Sequence, residues 1–384
     1  MTDDARAAEL RQFFPVVDHW TYLYNGSIHP CARPVGDAMR DFLQQWQNGG
    51  EAAFFTANEA FGKLKGKFAT LIGASDRNIV ITESTTAGLN LAAQILQPRP
   101  EQNVVVTDLA FMSSTYPWLV SRSAGPEVRF VESRGGKIHM DDLAAAVDDQ
   151  TAAVSICAVT VGSGFRFDLS QVYDITGRHG APLIIDGAQA LGLVDVNVHA
   201  PPLDFLACTA SKWLMGPAGI GFAYVSDHYL SAAPPTAGWM AAANLGDWDV
   251  RYCELHDDAR RFQGGIPNLV GVVGALAGLE LLDQIGRDFI ERRVRTLTAY
   301  ALEELGKIGV AIWTPLNDAE RAGIVFFRTP NHETLHAELK AKHIYCGTFL
   351  GGIRIDPTFY NTFEEVARFL KVVRDHVGRE GTET

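Results

Sequence analysis

Apolar positions fall into two patterns along the 384-residue chain. Between residues 79 and 225 they form short continuous runs: Ile79–Thr82 (IVIT), Val104–Val106, Ala153–Val159, Leu183–Asp186 and Phe205–Thr209. Unbroken rather than alternating runs predict strands covered on both faces, as in a parallel sheet. Between the runs the period lengthens. Thr86 to Leu96 puts Leu89, Ala92, Ala93 and Leu96 on one helical face. A segment around Tyr116–Ser121 follows the second strand. This alternation of strand and helix predicts a mostly parallel sheet in an α/β domain. Gly219–Val225 is reached too directly for a helical crossover, so it is predicted to run antiparallel.

Beyond about residue 270 the texture changes. Val270–Ile285 and Arg287–Leu305 have the period of long helices, and Gly323–Arg328 and Gly351–Ile355 that of strands. Thr362-Phe-Glu-Glu365 is a capping box that opens a last amphipathic helix, Phe363–Val377. The final GREGTET is expected as a loose tail. The division this predicts is a large domain over 15–265 and a smaller α+β domain made of 1–14 and 266–384.

Composition then narrows the class of partner. The net charge of −12 argues against nucleic acid and anionic membrane as partners. The apolar runs are too short and too broken by Gly and Pro to span a bilayer. The first residues, MTDDARAAEL, are acidic and polar and do not read as a signal peptide. Cys31, Cys157, Cys208, Cys253 and Cys346 are scattered without metal-ligand spacing. Free thiols in a reducing cytoplasm are the expectation.

The chemistry is sought at the carboxyl ends of the strands, where open α/β sheets place their sites. After Ile79–Thr82 stands Glu83-Ser84-Thr85-Thr86-Ala87-Gly88, small hydroxylic residues opening a helix. Free N–H groups and added hydroxyls there suit a phosphate, and a plain Ser/Thr cap is the bland alternative. Asp186 ends the apolar strand PLIID, where an unpartnered carboxylate is costly. Thr209, Ser211 and Lys212 follow the next strand. Lys212 is the one cation in the apolar stretch LACTASKWLMGPAGIGFAYV. Such a lysine can lose its proton and attack carbonyls. A phosphate cradle, a strand-end carboxylate and this lysine together point to pyridoxal 5'-phosphate (PLP). A dinucleotide site would want GxGxxG after the first strand, and none stands there.

The motifs TESTTAGLNLAA, LIIDGAQALG and TASKWLMGPAGIGFAYV, in this order and spacing, resemble the class V aminotransferase group of PLP enzymes. The likeness extends through TYLYNGSIHP, RFQGGIPNLVGVVGALAGLELL and GGIRIDPTFYNTFEEVARFL, nearly the whole chain. That group includes cysteine desulfurases, selenocysteine lyases, isopenicillin N epimerase-like proteins and kynureninases. The resemblance implies PLP fold type I, with a large seven-stranded domain, a small C-terminal domain, and a homodimer with its sites at the subunit interface. It implies that Lys212 bonds to the cofactor and shuttles the proton at Cα. Asp186 would pair with the pyridine nitrogen and Gln189 with the ring hydroxyl. Thr85, Thr86, Ala87, Thr209 and Ser211 would hold the phosphate. Arg354 would grip the carboxylate of an amino-acid substrate, helped by Asn25.

Two departures bear on the reaction. Desulfurases stack a His on the cofactor ring, whereas LAFMSSTYPW puts Phe111 there. Phe stacks but moves no protons. Desulfurases also carry a catalytic Cys well before the carboxylate-binding Arg. Cys346 lies only eight residues before Arg354, and a small buried thiol is the better reading of it. Ile266, in GGIPN, stands where relatives have a Thr that reaches the partner's phosphate. Tyr24, Trp239, Phe54 and Phe55 are candidates to line a roomy substrate pocket. Without an acid over the ring, low-pKa leaving groups are favoured. The expected reaction is therefore C–S β-elimination on a cysteine S-conjugate. Decarboxylation or oxidative deamination, transamination or epimerisation, and desulfuration are the alternatives.

Overall fold

The computed structural model describes residues 2–120 and 125–380 of the protein. Its strands are β1 (Thr21–Tyr22), β2 (Ile79–Thr82), β3 (Asn103–Thr107), β4 (Glu127–Val131), β5 (Thr151–Cys157), β6 (Leu183–Asp186), β7 (Phe205–Thr209) and β8 (Gly221–Val225). Seven of these, β2 to β8, form one sheet in the order β2-β8-β7-β6-β5-β3-β4. The pairs from β4 across to β7 are all parallel. β8 runs antiparallel to both β7 and β2, as its short connection requires. β4 escaped the sequence reading. It is an edge strand, Glu127 and Phe130 are exposed, and its EVRFV pattern lacks the apolar run of a covered strand.

The smaller sheet comprises β9 (Ala311–Ile312), β10 (Val325–Arg328), β12 (Gly347–Phe349) and β13 (Gly352–Ile355), with β11 (Ile344–Tyr345) beside it. Its order is β12-β13-β10-β9, and every pair is antiparallel. β11 pairs in parallel with β1 as a separate two-stranded sheet.

Two cores separate within one helix. Helix Leu269–Ile285 packs on helices Arg33–Gly49 and Ala52–Leu71 in the large core. Gly274 allows the approach to the first of these, since a Cβ there would lie 2.8 Å from Met39 Sδ. Helix Arg287–Ile308 gives Phe289, Ile290 and Val294 to the large core and Leu297, Ala301 and Leu305 to the small one. Ala7, Leu10 and Phe14 also pack in the large core. The packing therefore changes hands inside this helix, later in the chain than the expected division at 265/266.

The capping box forms as read, with Thr362 Oγ1 accepting from Glu365 N–H at 3.2 Å and Glu365 Oε2 from Thr362 N–H at 3.0 Å. The helix it opens runs to Glu380, so residues 378–380 are helical rather than tail. Residues 381–384 and Ser121 lie outside the described residues. Among the described residues no single helix is long and apolar enough to cross a membrane. The pair Leu269–Ile285 and Arg287–Ile308 passes that test only together, bent by 78°, with the first helix in the core.

Candidate active site

The carboxyl ends of the parallel strands bring the expected residues together. Asp186 closes β6 and is buried. Its Oδ1 accepts from Ala188 N–H at 2.9 Å and its Oδ2 from Ser114 Oγ–H at 3.1 Å. Cys157, its cross-strand neighbour, places Sγ 3.8 Å from the same Oδ2. Burial and the Asp186 carboxylate push the Cys157 thiol up to about 12, so it stays protonated. Cys157 Sγ also accepts from Phe111 N–H at 3.5 Å. Asp186 and Phe111 are thus linked through one buried thiol.

Lys212 follows β7. Its Nζ lies 5.7 Å from the centroid of the Phe111 ring. Among the described residues it has no hydrogen bond and no ion pair. Burial holds its pKa below the ordinary lysine value, the Asp186 carboxylate pulls it partly back, and Arg354 lowers it further. This is the arrangement for an amine that gives up its proton. Phe111 itself is 40% exposed, a large ring left open over the lysine.

The hydroxyls group beside these residues. Thr86 Oγ1 lies 2.7 Å from Ser113 Oγ, and Thr209 Oγ1 lies 3.1 Å from Ser211 Oγ. Ser84 caps helix Thr85–Leu96, accepting from Ala87 N–H at 3.2 Å. Ala87 N–H is therefore already bonded, while Thr85 Oγ1 is buried without a partner among the described residues. Gly88 seats this helix on the sheet, since a Cβ there would lie 2.7 Å from Ala207 Cβ. The donor set fits PLP: a carboxylate for the pyridine nitrogen, an unpaired amine for the aldehyde, hydroxyls at a helix start for the phosphate, and an open ring for stacking.

Other expected residues are engaged elsewhere. Gln189 Nε2 donates to Gly26 O at 2.8 Å, and its Oε1 accepts from Trp213 Nε1 at 3.1 Å. Asn25 is fully buried. It donates to Asp356 O at 2.9 Å and accepts from the Tyr360 hydroxyl at 2.5 Å, which makes it a brace between segments. Trp239, with Phe54 and Phe55, lines a cavity of about 750 Å³ whose lining includes none of Lys212, Asp186 or Phe111. Tyr24 stays beside the site, its ring 5.3 Å from the Arg354 guanidinium carbon.

Arg354 is 1% exposed. Its Nε and Nη2 donate to the two oxygens of Asp356 at 2.7 and 2.8 Å, and its Nη1 to Val161 O at 3.1 Å. Burial pushes Asp356 up, and the guanidinium beside it holds it back. The sequence reading missed Asp356, Ser113, Ser114 and Cys157. Strand period could have found Asp356, because residues i and i+2 share a face.

Comparisons with known proteins bear on the family and the fold. A family profile described as "Aminotransferase class-V" matches residues 21–346. The "Uncharacterized aminotransferase YcbU" of Bacillus subtilis is 28% identical over 365 residues, covering 93% of this chain and 95% of that protein. A "Probable cysteine desulfurase" of Methanothermobacter thermautotrophicus is 27% identical over 94% of this chain and 96% of its own length. The apo structure of a cysteine desulfurase from Thermococcus onnurineus NA1 superposes with a TM-score of 0.88 at 25% identity, over 96% of this chain and 98% of that one. The cystine C-S lyase C-DES, solved with its product cysteine persulfide, gives 0.87 at 20% identity over 94% and 99%, a likeness of fold alone.

Proposed function

Because the chain belongs to the class V aminotransferase family and is a PLP-dependent enzyme, we propose that it cleaves C–S bonds by β-elimination from a cysteine S-conjugate. The observation that carries this reading is Phe111 over Lys212, at 5.7 Å, with no proton donor in its place. PLP, when bound, supplies the sink for the electron pair left at Cα. Lys212 is the base that takes the Cα proton, burial holding its pKa below the ordinary lysine value. Asp186 would hold the pyridine nitrogen protonated. It is fixed for that task by Ala188 N–H and Ser114 Oγ–H. Thr86, Ser113, Thr209 and Ser211 would anchor the phosphate. Phe111 would stack on the ring. As the Cβ–S bond breaks, its electron pair leaves with sulfur and no side chain protonates it. Only thiols of low pKa depart well under those terms.

Desulfuration is the second reading, favoured by the names of several relatives. Against it stands Cys346, which is 3% exposed in the small core, its thiol pushed by burial up to about 12. That environment keeps a thiol inert. We further propose a cytoplasmic homodimer. The exposed Trp248, Val250, Tyr252 and Ile266 supply apolar surface for a second copy. Light scattering on the purified protein tests this, and a monomer at micromolar concentration overturns it.

The reaction is tested by incubating the PLP-loaded protein with a panel of S-conjugated cysteines. Pyruvate, ammonia, carbon dioxide and thiol are followed separately. Equal yields of pyruvate, ammonia and thiol are expected. Carbon dioxide, or accumulation of the pyridoxamine form, as the main outcome overturns the reading.

A further inference from the structure

The guanidinium expected to hold a substrate carboxylate is already holding one. Arg354 presents its Nε and Nη2 to Asp356 in a two-point pair at 2.7 and 2.8 Å, the geometry by which an arginine grips a ligand carboxylate. Nη1 is taken by Val161 O. Gly26 closes the remaining approach. A Cβ at that position would lie 2.7 Å from Arg354 Nη2, and Gly26 N–H itself donates to Asp356 Oδ2 at 3.1 Å. Tyr24 covers the flat face. The side chains of Arg354 and Asp356 are 2% and 0% exposed, so burial closes to a carboxylate in the pocket the two guanidinium N–H groups that make no hydrogen bond among the described residues.

The charge balance leads the same way. Asp356 cancels the charge of Arg354 within the fold, so little positive field is left to attract an anion. Buried pairs of this kind contribute little net stability relative to an apolar pair of similar volume.

We propose that Asp356 is a specificity-determining residue: it occupies the Arg354 fork in place of a substrate α-carboxylate, so the pocket selects its ligand by amino group and side chain. The inference rests on the reading that amino compounds bind at the Lys212 pocket. It extends the substrate class to amines and to amino acids whose carboxylate is masked. A carboxylate is tolerated there without being gripped.

The test is equilibrium binding to the PLP-loaded protein, read from its visible absorption spectrum. The probes are L-norleucine and n-pentylamine, which differ only by the carboxylate and carry no β-leaving group. Wild-type protein is expected to bind the two with Kd values within about threefold. Asp356→Ser empties the fork and should favour norleucine by about tenfold or more, the worth of a charge-assisted pair regained. The charge-neutral double change Arg354→Gln with Asp356→Asn should leave the wild-type ratio unchanged, since it removes the fork without baring the Asp356 carboxylate. That double variant and the wild type decide the matter if Asp356→Ser does not fold. A tenfold wild-type preference for norleucine, or a ratio that collapses in the double variant, overturns the proposal. Failure of the C–S lysis reading shows separately, as an absence of pyruvate from S-conjugates, and leaves this ratio untouched.

Discussion

Lys212 and Arg354 lie within electrostatic reach of each other, yet the fold treats the two cations differently. Lys212 ends the large-domain sheet with no hydrogen bond among the described residues and a pKa held down by burial. Arg354, on β13 of the small sheet, makes three hydrogen bonds and is locked to Asp356. An ammonium can shed its proton when buried, whereas a guanidinium cannot. The lysine is thus left poised to react. The arginine must be paired wherever it is buried, and here its partner stands just past the end of its own strand.

The largest effect should come from removing the unpaired cation. Borohydride reduction of the loaded protein should fix the cofactor to Lys212, as peptide mapping would show. Lys212→Ala should lose that label and lower turnover on the order of a thousandfold, the scale of a lost base at the reacting atom. Label on another lysine would break the comparison at its first term.

The paired cation is tested through stability. Asp356→Ala leaves Arg354 charged and buried, which should cost about 3–5 kcal/mol. Its thermal midpoint should fall by several degrees. In the cofactor-free protein Lys212 behaves in the opposite way. Its folded pKa lies below the ordinary 10.5, so between those two values the unfolded chain binds more protons. Stability should therefore rise with pH across that window, and Lys212→Met should flatten the rise. Denaturation midpoints of the cofactor-free protein at a series of pH values measure both. A slope that persists in Lys212→Met would mean that Lys212 is not the strained group.

The two regions differ also in how far the sequence revealed them. The large sheet was legible because covered parallel strands are apolar runs, and because Asp186 and Lys212 break such runs where a charge demands a reason. Thr86, Thr209 and Ser211 follow from strand ends. The Arg354 side was misread. GIRIDP shows the arginine and the aspartate, but only the three-dimensional closeness of Gly26 and Val161 shows that the fork is shut. Asn25 reads as a turn residue or a ligand, and its bonds to Asp356 and Tyr360 join positions more than three hundred residues apart. Helix Arg33–Gly49 went unread although Val35, Met39, Phe42 and Trp46 recur on one face, and helix Ala52–Leu71 went unread because its apolar and small positions are spread around its circumference.

A smaller effect should follow from changing what stands over Lys212. Phe111→His puts a proton donor over the ring. It should speed elimination of poor leaving groups by about a hundredfold while leaving good ones near their wild-type rate. In wild type, rates across a series of S-conjugates should rise as the thiol pKa falls. Stopped-flow measurement of thiol release settles both, and rates indifferent to leaving group would remove Phe111 from the argument.

The smallest effect should come from Cys346, which belongs to the Arg354 side. Gly347, its neighbour, pairs with Arg354 across β12 and β13, and the Asp356 carboxylate adds to burial in keeping the thiol protonated. Burial thus silences Cys346, while the same kind of burial activates Lys212. The sign differs because burial favours the neutral form of each, which is the reactive form of an amine and the unreactive form of a thiol. Cys346→Ser should keep turnover on the true substrate within about twofold. Its cost should be confined to stability, about 1–3 kcal/mol for a hydroxyl placed in an apolar core. Free cysteine should leave no persulfide on the wild-type protein, as intact-mass measurement would show. A persulfide at Cys346 with a matching loss of turnover in Cys346→Ser would show that this side of the pocket also reacts, and desulfuration would then replace lysis as the reading.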